Sequence, residues 1–355
     1  MTGGIRVIYT YANYLIDQGH DVVCYVPMIS YRGRNQTIFY RIKASLGNTL
    51  KNDNWFDKKF DLKRIPVVSE KYIRDADVVI ATAWQTAYDV ANFSSSKGHK
   101  FYFIQDYEIF NGGKEEVEAS YRLPLTLITV TRSLKKAIQK FTDKTIYVVY
   151  NGLSDNEYLH TEKISHKDLT LMMMYHESEH KKSQEGLQII AKLKKRYPDM
   201  KINIFGRRIP EKLPDTYNEL INPEREKILK MYQESDVYLF TSEIEAWGLP
   251  IVEAMANKCA VVGRSRGALL ELSNGQNTIV VEELSEIYNK VVHLQEDRLL
   301  LAQVQNEGYK TVIPLNWSNS CLEFEKIISG VYLSVILISE PTRPRQIWVD
   351  GGGEG

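Results

Sequence analysis

"DVYLFTSEIEAWGLPIVEAMANKCAVVG", residues 236–263, decides the fold class. It opens with an apolar run typical of a buried strand and passes through a polar loop. A helical pattern follows, in which Pro250 suits the first turn, where its missing N–H costs nothing. A second apolar run, CAVVG, comes directly after the helix. A strand, a helix and a strand in so short a span predict a parallel βαβ unit.

The same alternation extends in both directions along the chain, so the sequence predicts an α/β protein with parallel sheets. We expect two facing Rossmann-like domains, at residues 1–152 and 169–332, joined by a polar linker at residues 153–168. A ligand cleft should lie between the two domains. The tail at residues 340–355 has no periodicity, and we expect it to be disordered or not native to the fold.

The amino end of the chain is unusual for such a fold. The sequence opens at the glycine turn MTGGIR, although a βα unit has its strand before such a turn. The first strand of the N-terminal sheet could therefore be missing from this sequence.

The composition argues against two classes of protein. Lysine and arginine number 45 and are balanced by 45 aspartates and glutamates, so no basic field predicts a nucleic-acid partner. No signal peptide opens the chain, and the late apolar run GVYLSVILIS is shorter than the ~20 residues of a membrane-spanning helix. We expect a cytoplasmic protein. Residues 50–64 mix aromatics with lysines and could touch the inner face of a membrane, although an exposed connection explains them more simply.

Two carboxylates mark the stretch that opened this section. In parallel sheets ligands bind beyond the carboxyl ends of the strands, where Glu245 lies in a loop and Glu253 follows in the first helical turn. The entry residues Gly248 and Leu249 present free backbone N–H groups. Carboxylates suit neighbouring sugar hydroxyls, and a helix amino end suits a phosphate. The alternative is a loop acid in solvent and a favourable first-turn charge.

Basic residues follow three strands of the second predicted sheet, at the edge where the carboxylates lie. Such cations at one edge would suit a diphosphate, although solvated surface charges remain the alternative for each. The candidates are Lys181, Lys182, Arg207, Arg208, Arg264 and Arg266.

Two further motifs resemble metal-binding patterns but are better explained as an ordinary loop and an ordinary turn. HESEH, residues 176–180, matches a zinc-protease pattern, but His176 ends a predicted strand and so does not share a helix with His180. DAD, residues 75–77, precedes its strand and lies at the edge of the sheet away from a site. We therefore expect no metal site and no cofactor.

The arrangement around Glu245 and Glu253 resembles the retaining glycosyltransferases of family 4, which have the GT-B fold of two facing Rossmann-like domains. The resemblance runs from GGIRVIYTYANYLIDQGHDV to NWSNSCLEFEKII, and the spacing of these two glutamates is its most specific part. It implies that Glu253 holds the donor ribose and that Glu245 contacts the transferred sugar. Backbone groups of Trp247, Gly248 and Leu249 would face sugar and phosphate.

The resemblance also implies roles at other positions. Lys182 or Lys181 would bind the diphosphate, and Gly3 and Gly4 would form the amino-domain loop below it. The family's usual arginine before this lysine is not evident, because YHESEH stands there, and Arg207, Arg264 or Arg266 would compensate.

FIQDYEIF, with Asp106 and Glu108, is similar to the branch that contains rhamnosyltransferases of bacterial surface polysaccharides. These two acids follow a strand and would meet the acceptor. The histidine that many members carry after the strand here reading VVIATAW is absent.

The resemblance implies transfer of a sugar, with rhamnose the first to consider, from a nucleoside-diphosphate sugar to a saccharide or lipid-linked saccharide. The anomeric configuration would be retained and no metal required. Three alternatives stay open: a GT-B-like nucleotide-sugar epimerase, a non-catalytic GT-B partner subunit and, least favoured by the sequence, a zinc hydrolase.

Overall fold

The computed structural model describes residues 3–29, 56–108, 113–164, 167–209 and 213–339, with side chains up to residue 330. Within these ranges the chain forms two α/β regions that follow one another. The elements of the first region are α1 (Gly3–Asp17), β1 (Val23–Pro27), β2 (Asp61–Ile65), β3 (Val78–Ala81), α2 (Trp84–Ala91), β4 (His99–Ile104), α3 (Lys114–Ser120), β5 (Thr126–Thr129), α4 (Arg132–Ile138) and β6 (Ile146–Val148).

The strands described for the first region form two separate parallel ladders. One pairs β1 with β2, and the other runs in the order β3-β4-β5-β6. The middle of the longer ladder is buried on both faces, as in Phe101–Ile104 of β4, because helices cover parallel sheets on both sides.

The second region is one continuous parallel sheet in the described residues, in the order β12-β11-β10-β7-β8-β9. Its elements are β7 (Thr170–Tyr175), α5 (Ser183–Arg196), β8 (Lys201–Gly206), β9 (Asn218–Ile221), α6 (Arg225–Gln233), β10 (Val237–Phe240), α7 (Leu249–Ala256), β11 (Ala260–Arg264), α8 (Ala268–Leu272), β12 (Ile279–Val281), α9 (Glu286–Glu296), α10 (Arg298–Val312) and α11 (Trp317–Ser339).

The two regions pack against each other through one apolar core. Val7 of α1 and Ile251 of α7 belong to the same buried cluster. The final helix α11 returns to the first region, where Phe324 stacks on Tyr11 with ring centroids 4.4 Å apart. The connection after β6 is also packed, because Leu153 is buried and donates its N–H to Leu315 O. The loops at the carboxyl ends of the two sheets are therefore held in a fixed relation.

The predicted α/β architecture of two parallel-sheet, Rossmann-like domains is confirmed. In the described part of residues 50–64, Asp57, Lys59 and Lys63 are exposed, as expected for an exposed connection, but one side chain packs into the fold. Phe60 is buried with its ring 5.1 Å from that of Tyr9, and the chain then enters β2. Residues 61–65 pair with β1 and are therefore part of the folded region.

Two other expectations concern the membrane and the tail. Among the described helices, none has the length and apolar character needed to span a bilayer. The tail at residues 340–355 lies outside the described residues.

Candidate functional site

The centre of the candidate site is an ion pair between Glu245 and Lys181. Glu245 lies in the loop after β10, and Lys181 ends a single 3-10 turn, Glu179–Lys181, after β7. Lys181 Nζ is 2.6 Å from Glu245 Oε2, and both side chains are largely shielded from solvent. Thr241 donates its hydroxyl to Lys181 O at 2.7 Å, which fixes the lysine backbone beside the strand.

Two glycines make room for the Glu245 side chain. A Cβ added to Gly248 would come within 3.0 Å of Glu245 Cγ, and one added to Gly267 within 2.8 Å. Both glycines have positive φ, of 77° and 54°, which other residues rarely adopt. The glycine backbone therefore sets the position of the carboxylate.

Asp106 brings a carboxyl from the first region toward this pair. It follows β4, and burial raises its pKa to about 6; the Tyr107 N–H it accepts lowers that pKa and the charge of Glu245 raises it further. Lys181 acts in the opposite direction on the same carboxyl. Charged groups from both sheets thus lie within electrostatic reach of one another.

Glu108, which was predicted to meet the acceptor together with Asp106, has a different environment. Its backbone is left-handed, with φ of 58°, and its carboxylate accepts the Trp84 N–H at 2.9 Å and the Tyr102 hydroxyl at 3.3 Å. Burial raises the pKa of Glu108 to about 7. The carboxylate caps the amino end of α2, and its predicted contact with an acceptor stays a prediction.

Two helix amino ends meet beside the ion pair. A Cβ on Gly3, the first residue of α1, would be 3.4 Å from Leu249 Cδ1, at the start of α7. Gly4 O accepts from Gln105 Nε2 at 3.2 Å, next to Asp106. The expectation that Gly3 and Gly4 form a loop is wrong, because both lie in the first turn of α1. Two positive helix ends at one place favour an anion.

Glu253 is buried in a cluster of opposite charges that the sequence did not predict. Its Oε1 is 3.2 Å from Arg6 Nη1 and 2.8 Å from Arg225 Nη2. Both arginines also contact the buried Glu157, with Arg6 at 2.8 Å. Burial alone would raise the pKa of Glu253, but the charges of Arg225 and Arg6 lower it below its ordinary value. Glu253 is therefore a carboxylate held by both regions of the chain.

Only some of the predicted basic residues lie near the Lys181–Glu245 pair. Lys182 lies 3.7 Å from the Glu243 carboxylate, and Arg266 Nε donates to Glu243 O at 3.0 Å, so both lie at the loop that leads to Glu245. Arg264 turns instead toward the residues after β12, donating to Glu282 O at 3.2 Å. Two further arginines are exposed after β8: Arg207 and Arg208.

Trp247 is a buried part of the contact between the two regions. Its ring stacks on Tyr150 with centroids 5.2 Å apart, and its Nε1 has no hydrogen-bond partner among the described residues. Its carbonyl accepts from Ala268 N at 2.6 Å, so this backbone oxygen is already engaged. Leu249 begins α7 and Gly248 precedes it, and backbone N–H groups at this helix start can face a ligand.

The two motifs set aside in the sequence occupy the places expected for them. His176 directly follows β7 and His180 lies in the 3-10 turn, so they do not share a helix. Asp75 and Asp77 precede β3 at its amino end and are exposed. In the ranges that the structure describes, no group of three or more metal-binding side chains converges.

The chain is similar to a known protein family and to several solved structures. Residues 169–297 match the family model described as "Glycosyl transferases group 1". Comparison with curated proteins gives no significant match. Among solved structures, HepE from Anabaena in complex with UDP-glucose superposes with a TM-score of 0.69 and 14% identity, over 93% of this chain and 96% of HepE.

Two other structures share the fold. Sucrose-phosphate synthase from Thermosynechococcus elongatus has a TM-score of 0.67 at 11% identity, over 94% of each chain. TarM of S. aureus has a TM-score of 0.61 at 14% identity, over 73% of this chain. The chain spans 56% of TarM. At these identities the likeness shows the fold, which is the GT-B arrangement of two Rossmann-like domains.

Proposed function

We propose that the protein is a retaining glycosyltransferase of family 4, which moves a sugar from a nucleoside-diphosphate sugar to a saccharide acceptor. One observation supports this most: the Lys181–Glu245 pair lies beside Asp106 and beside the paired amino ends of α1 and α7. Cations, helix ends and carboxylates in one place match a ligand that joins an anion to a polyhydroxyl group.

The diphosphate would lie at the amino ends of α1 and α7, with Lys181, Lys182 and Arg266 nearby. The developing charge is on the departing diphosphate, and each well-placed donor typically contributes about 3–4 kcal/mol to its stabilisation. These donors would stabilise the diphosphate charge that a metal ion stabilises in other transferases, so we propose metal-independent transfer. Arg264 would not bind the donor while it donates to Glu282 O.

The two glutamates would divide the recognition of the donor. Both ion pairs described for Glu253 fall on Oε1, so Oε2 is the oxygen that a ribose hydroxyl would reach. Glu245 would accept hydroxyls of the transferred sugar, and Lys181 would stay beside it. The N–H groups of Gly248 and Leu249 would meet the phosphate or the sugar.

The acceptor would approach from the first region. Asp106 lies on that side of the site, and with its pKa of about 6 it can exchange a proton with an acceptor hydroxyl at neutral pH. The acceptor would be a saccharide or a lipid-linked saccharide used in bacterial polysaccharide or glycan synthesis. The reaction would take place in the cytoplasm, at the inner face of the membrane when the acceptor is lipid-linked.

Product analysis tests the proposal. The full chain would be incubated with UDP-glucose or dTDP-rhamnose and a saccharide panel, with and without EDTA. We expect a new glycoside whose anomeric configuration, measured by NMR, equals that of the donor, with equal yield in EDTA. An inverted product would overturn retention, and loss of activity in EDTA would overturn metal independence. Conversion of the donor without any acceptor would favour an epimerase instead.

A further inference from the structure

Glu157 is a second buried carboxylate in the cluster around Glu253. It ends a single 3-10 turn, Asp155–Glu157, in the connection after β6. Its side chain is 5% exposed, and its two carboxylate oxygens accept from Arg6 Nη2 at 2.8 and 3.1 Å. Arg225 Nη2 also contacts its Oε1. Glu157 therefore holds the same two arginines that hold Glu253.

Arg6 divides its guanidinium between the two carboxylates. Its Nη2 donates to Glu157, and its Nη1 donates to Glu253 Oε1 at 3.2 Å. Arg225 Nη2 lies 2.8 Å from the same oxygen of Glu253. Two positive and two negative side chains are thus balanced in a part of the protein that is largely shielded from water. In such surroundings an unbalanced charge is costly.

Hydrogen bonds to the backbone fix the two glutamates relative to each other. Asn257 is fully buried, and its Nδ2 donates to Glu157 O at 2.9 Å and to Glu253 O at 2.8 Å. On the side-chain side, Ser154 N donates to Glu157 Oε2 at 2.8 Å. The carboxylate of Glu157 is therefore held in place by contacts within the protein, and the positions of the two arginines follow from it.

Loss of the Glu157 carboxylate would change the geometry at Glu253. Both Nη groups of Arg6 would then have Glu253 as their carboxylate partner. A guanidinium and a carboxylate pair best through two parallel N–H···O bonds, which engage both carboxylate oxygens. Among the described residues, no ion pair falls on Oε2 of Glu253 in the intact cluster. Without Glu157, an arginine would take this oxygen as well.

We propose that Glu157 is a positioning residue of the donor site. By holding Arg6 and Arg225, it confines both arginines to Oε1 of Glu253. Oε2 of Glu253 then stays available to the ribose hydroxyls of a nucleoside diphosphate. This role rests on the proposed function, because it requires that Glu253 binds the ribose. Glu157 acts through the two arginines and not on the donor itself.

Titration calorimetry of the full chain with matched nucleotides tests this role. The probes are UDP and dTDP, each beside its 2′,3′-dideoxy counterpart, which lacks the ribose hydroxyls that Glu253 would bind. Wild type should prefer the hydroxylated form of the nucleotide that it binds by about tenfold or more, as expected for charge-assisted hydrogen bonds. Glu157→Gln should lose this preference, while its affinity for the dideoxy form should equal that of wild type.

Two further variants complete the test. The matched control is Glu296→Gln, which removes the carboxylate of an exposed ion pair, 2.9 Å from Arg196, and should bind every nucleotide as wild type does. The double variant Glu157→Gln/Arg225→Gln restores the charge balance, so it serves even when the single variant does not fold. We expect it to recover the preference to within about threefold of wild type, because the two substitutions are coupled. A residue that only supports the fold would give no such recovery.

The possible outcomes separate this role from the proposed function. An unchanged preference in Glu157→Gln, an equal loss of affinity for both forms of the nucleotide, or a double variant without the preference would overturn the positioning role alone. Equal binding of both forms by wild type would overturn the ribose contact of Glu253 and, with it, the positioning role. If wild type bound none of the nucleotides, the proposed donor site and the positioning role would both be overturned.

Discussion

Glu253 shows how far a single residue can depend on distant parts of the chain. The spacing of Glu245 and Glu253 predicts a role for Glu253, but not the arginines that hold it. Arg6 lies 247 positions away and Arg225 belongs to another helix. Neither the spacing nor the local propensity of these residues carries a signal for such a contact. The proximity of Lys181 and Glu245 was predictable, because adjacent parallel strands bring the loops that follow them to one edge of the sheet.

Replacing Glu253 with glutamine should destabilise the protein, because Arg6 and Arg225 would keep only Glu157 as a partner. Breaking a buried pair typically costs about 3–5 kcal/mol, to be measured as the free energy of unfolding in urea near pH 7. The pKa of Glu253 is lowered in the folded state, so its contribution is present above the unfolded pKa. The difference from wild type should therefore vanish as the pH falls through the folded pKa.

The matched control is Glu234→Gln, whose exposed carboxylate lies 3.9 Å from Lys230 at the end of α6. Such surface pairs contribute about 0–1 kcal/mol. An equal effect of the two substitutions would show that the buried cluster around Glu253 has no special role in stability.

Asp106 should affect stability with the opposite pH dependence. Its pKa is raised to about 6 in the folded protein, so the folded state holds this proton more tightly than the unfolded state does. Its contribution is therefore most favourable below the unfolded pKa and is lost as the pH rises through about 6. Asp106→Asn should raise the melting temperature at pH values of about 8 and change it little at about pH 4.

After discounting for solvent, we expect this gain to be on the order of 1 kcal/mol. Thermal denaturation across the pH range measures it. A variant that is less stable than wild type at every pH would contradict the raised pKa.

At the scale of elements, α8 of the second region caps α4 of the first. Glu271 Oε1 accepts from Ser133 N at 2.7 Å, and Oε2 accepts from Arg132 N at 3.2 Å and from the Tyr150 hydroxyl at 2.9 Å. A carboxylate at a helix amino end is favourable for both charge and hydrogen bonding. This contact therefore ties the two regions together away from the Glu253 cluster.

We expect Glu271→Ala to loosen this contact without unfolding either region. Loss of charge-assisted hydrogen bonds typically costs about 1.5–3 kcal/mol each, and hydrogen exchange at residues 132–134 should increase clearly. Exchange within β7 and β10 should stay as in wild type. Unchanged protection of residues 132–134 would mean that Thr131, whose hydroxyl caps Leu134 N, suffices alone.

The sequence predicted long and apolar elements better than short ones. The strands β4, β7 and β10 are continuous apolar runs, a pattern that clearly predicts buried strands. Sequence patterns do not predict the short strands β2, β9 and β12, which have five, four and three residues. Their strand conformation comes from pairing with a neighbour at the edge of a ladder rather than from their own composition. The loop expected at Gly3 and Gly4 is helical because the helical pattern that follows extends to them.

At the scale of the whole molecule, the site depends on the two regions meeting in one arrangement. Arg6 of α1, Glu271 of α8 and the return of α11 each cross between the regions. The sequence predicted two domains and a cleft, but not these crossings, because each joins residues more than a hundred positions apart. We propose that an activated sugar binds where Lys181 and Glu245 meet the amino ends of α1 and α7.

Titration calorimetry of the full chain with UDP-glucose and dTDP-rhamnose tests this binding site, using Lys181→Met and the control Lys192→Met on the exposed face of α5. We predict that wild type and the control bind the same donor equally. Lys181→Met should bind it at least tenfold more weakly, since a charge-assisted hydrogen bond contributes about 1.5–3 kcal/mol. Equal affinity in all three proteins, or no binding of either donor by wild type, would contradict donor binding at Lys181 and Glu245.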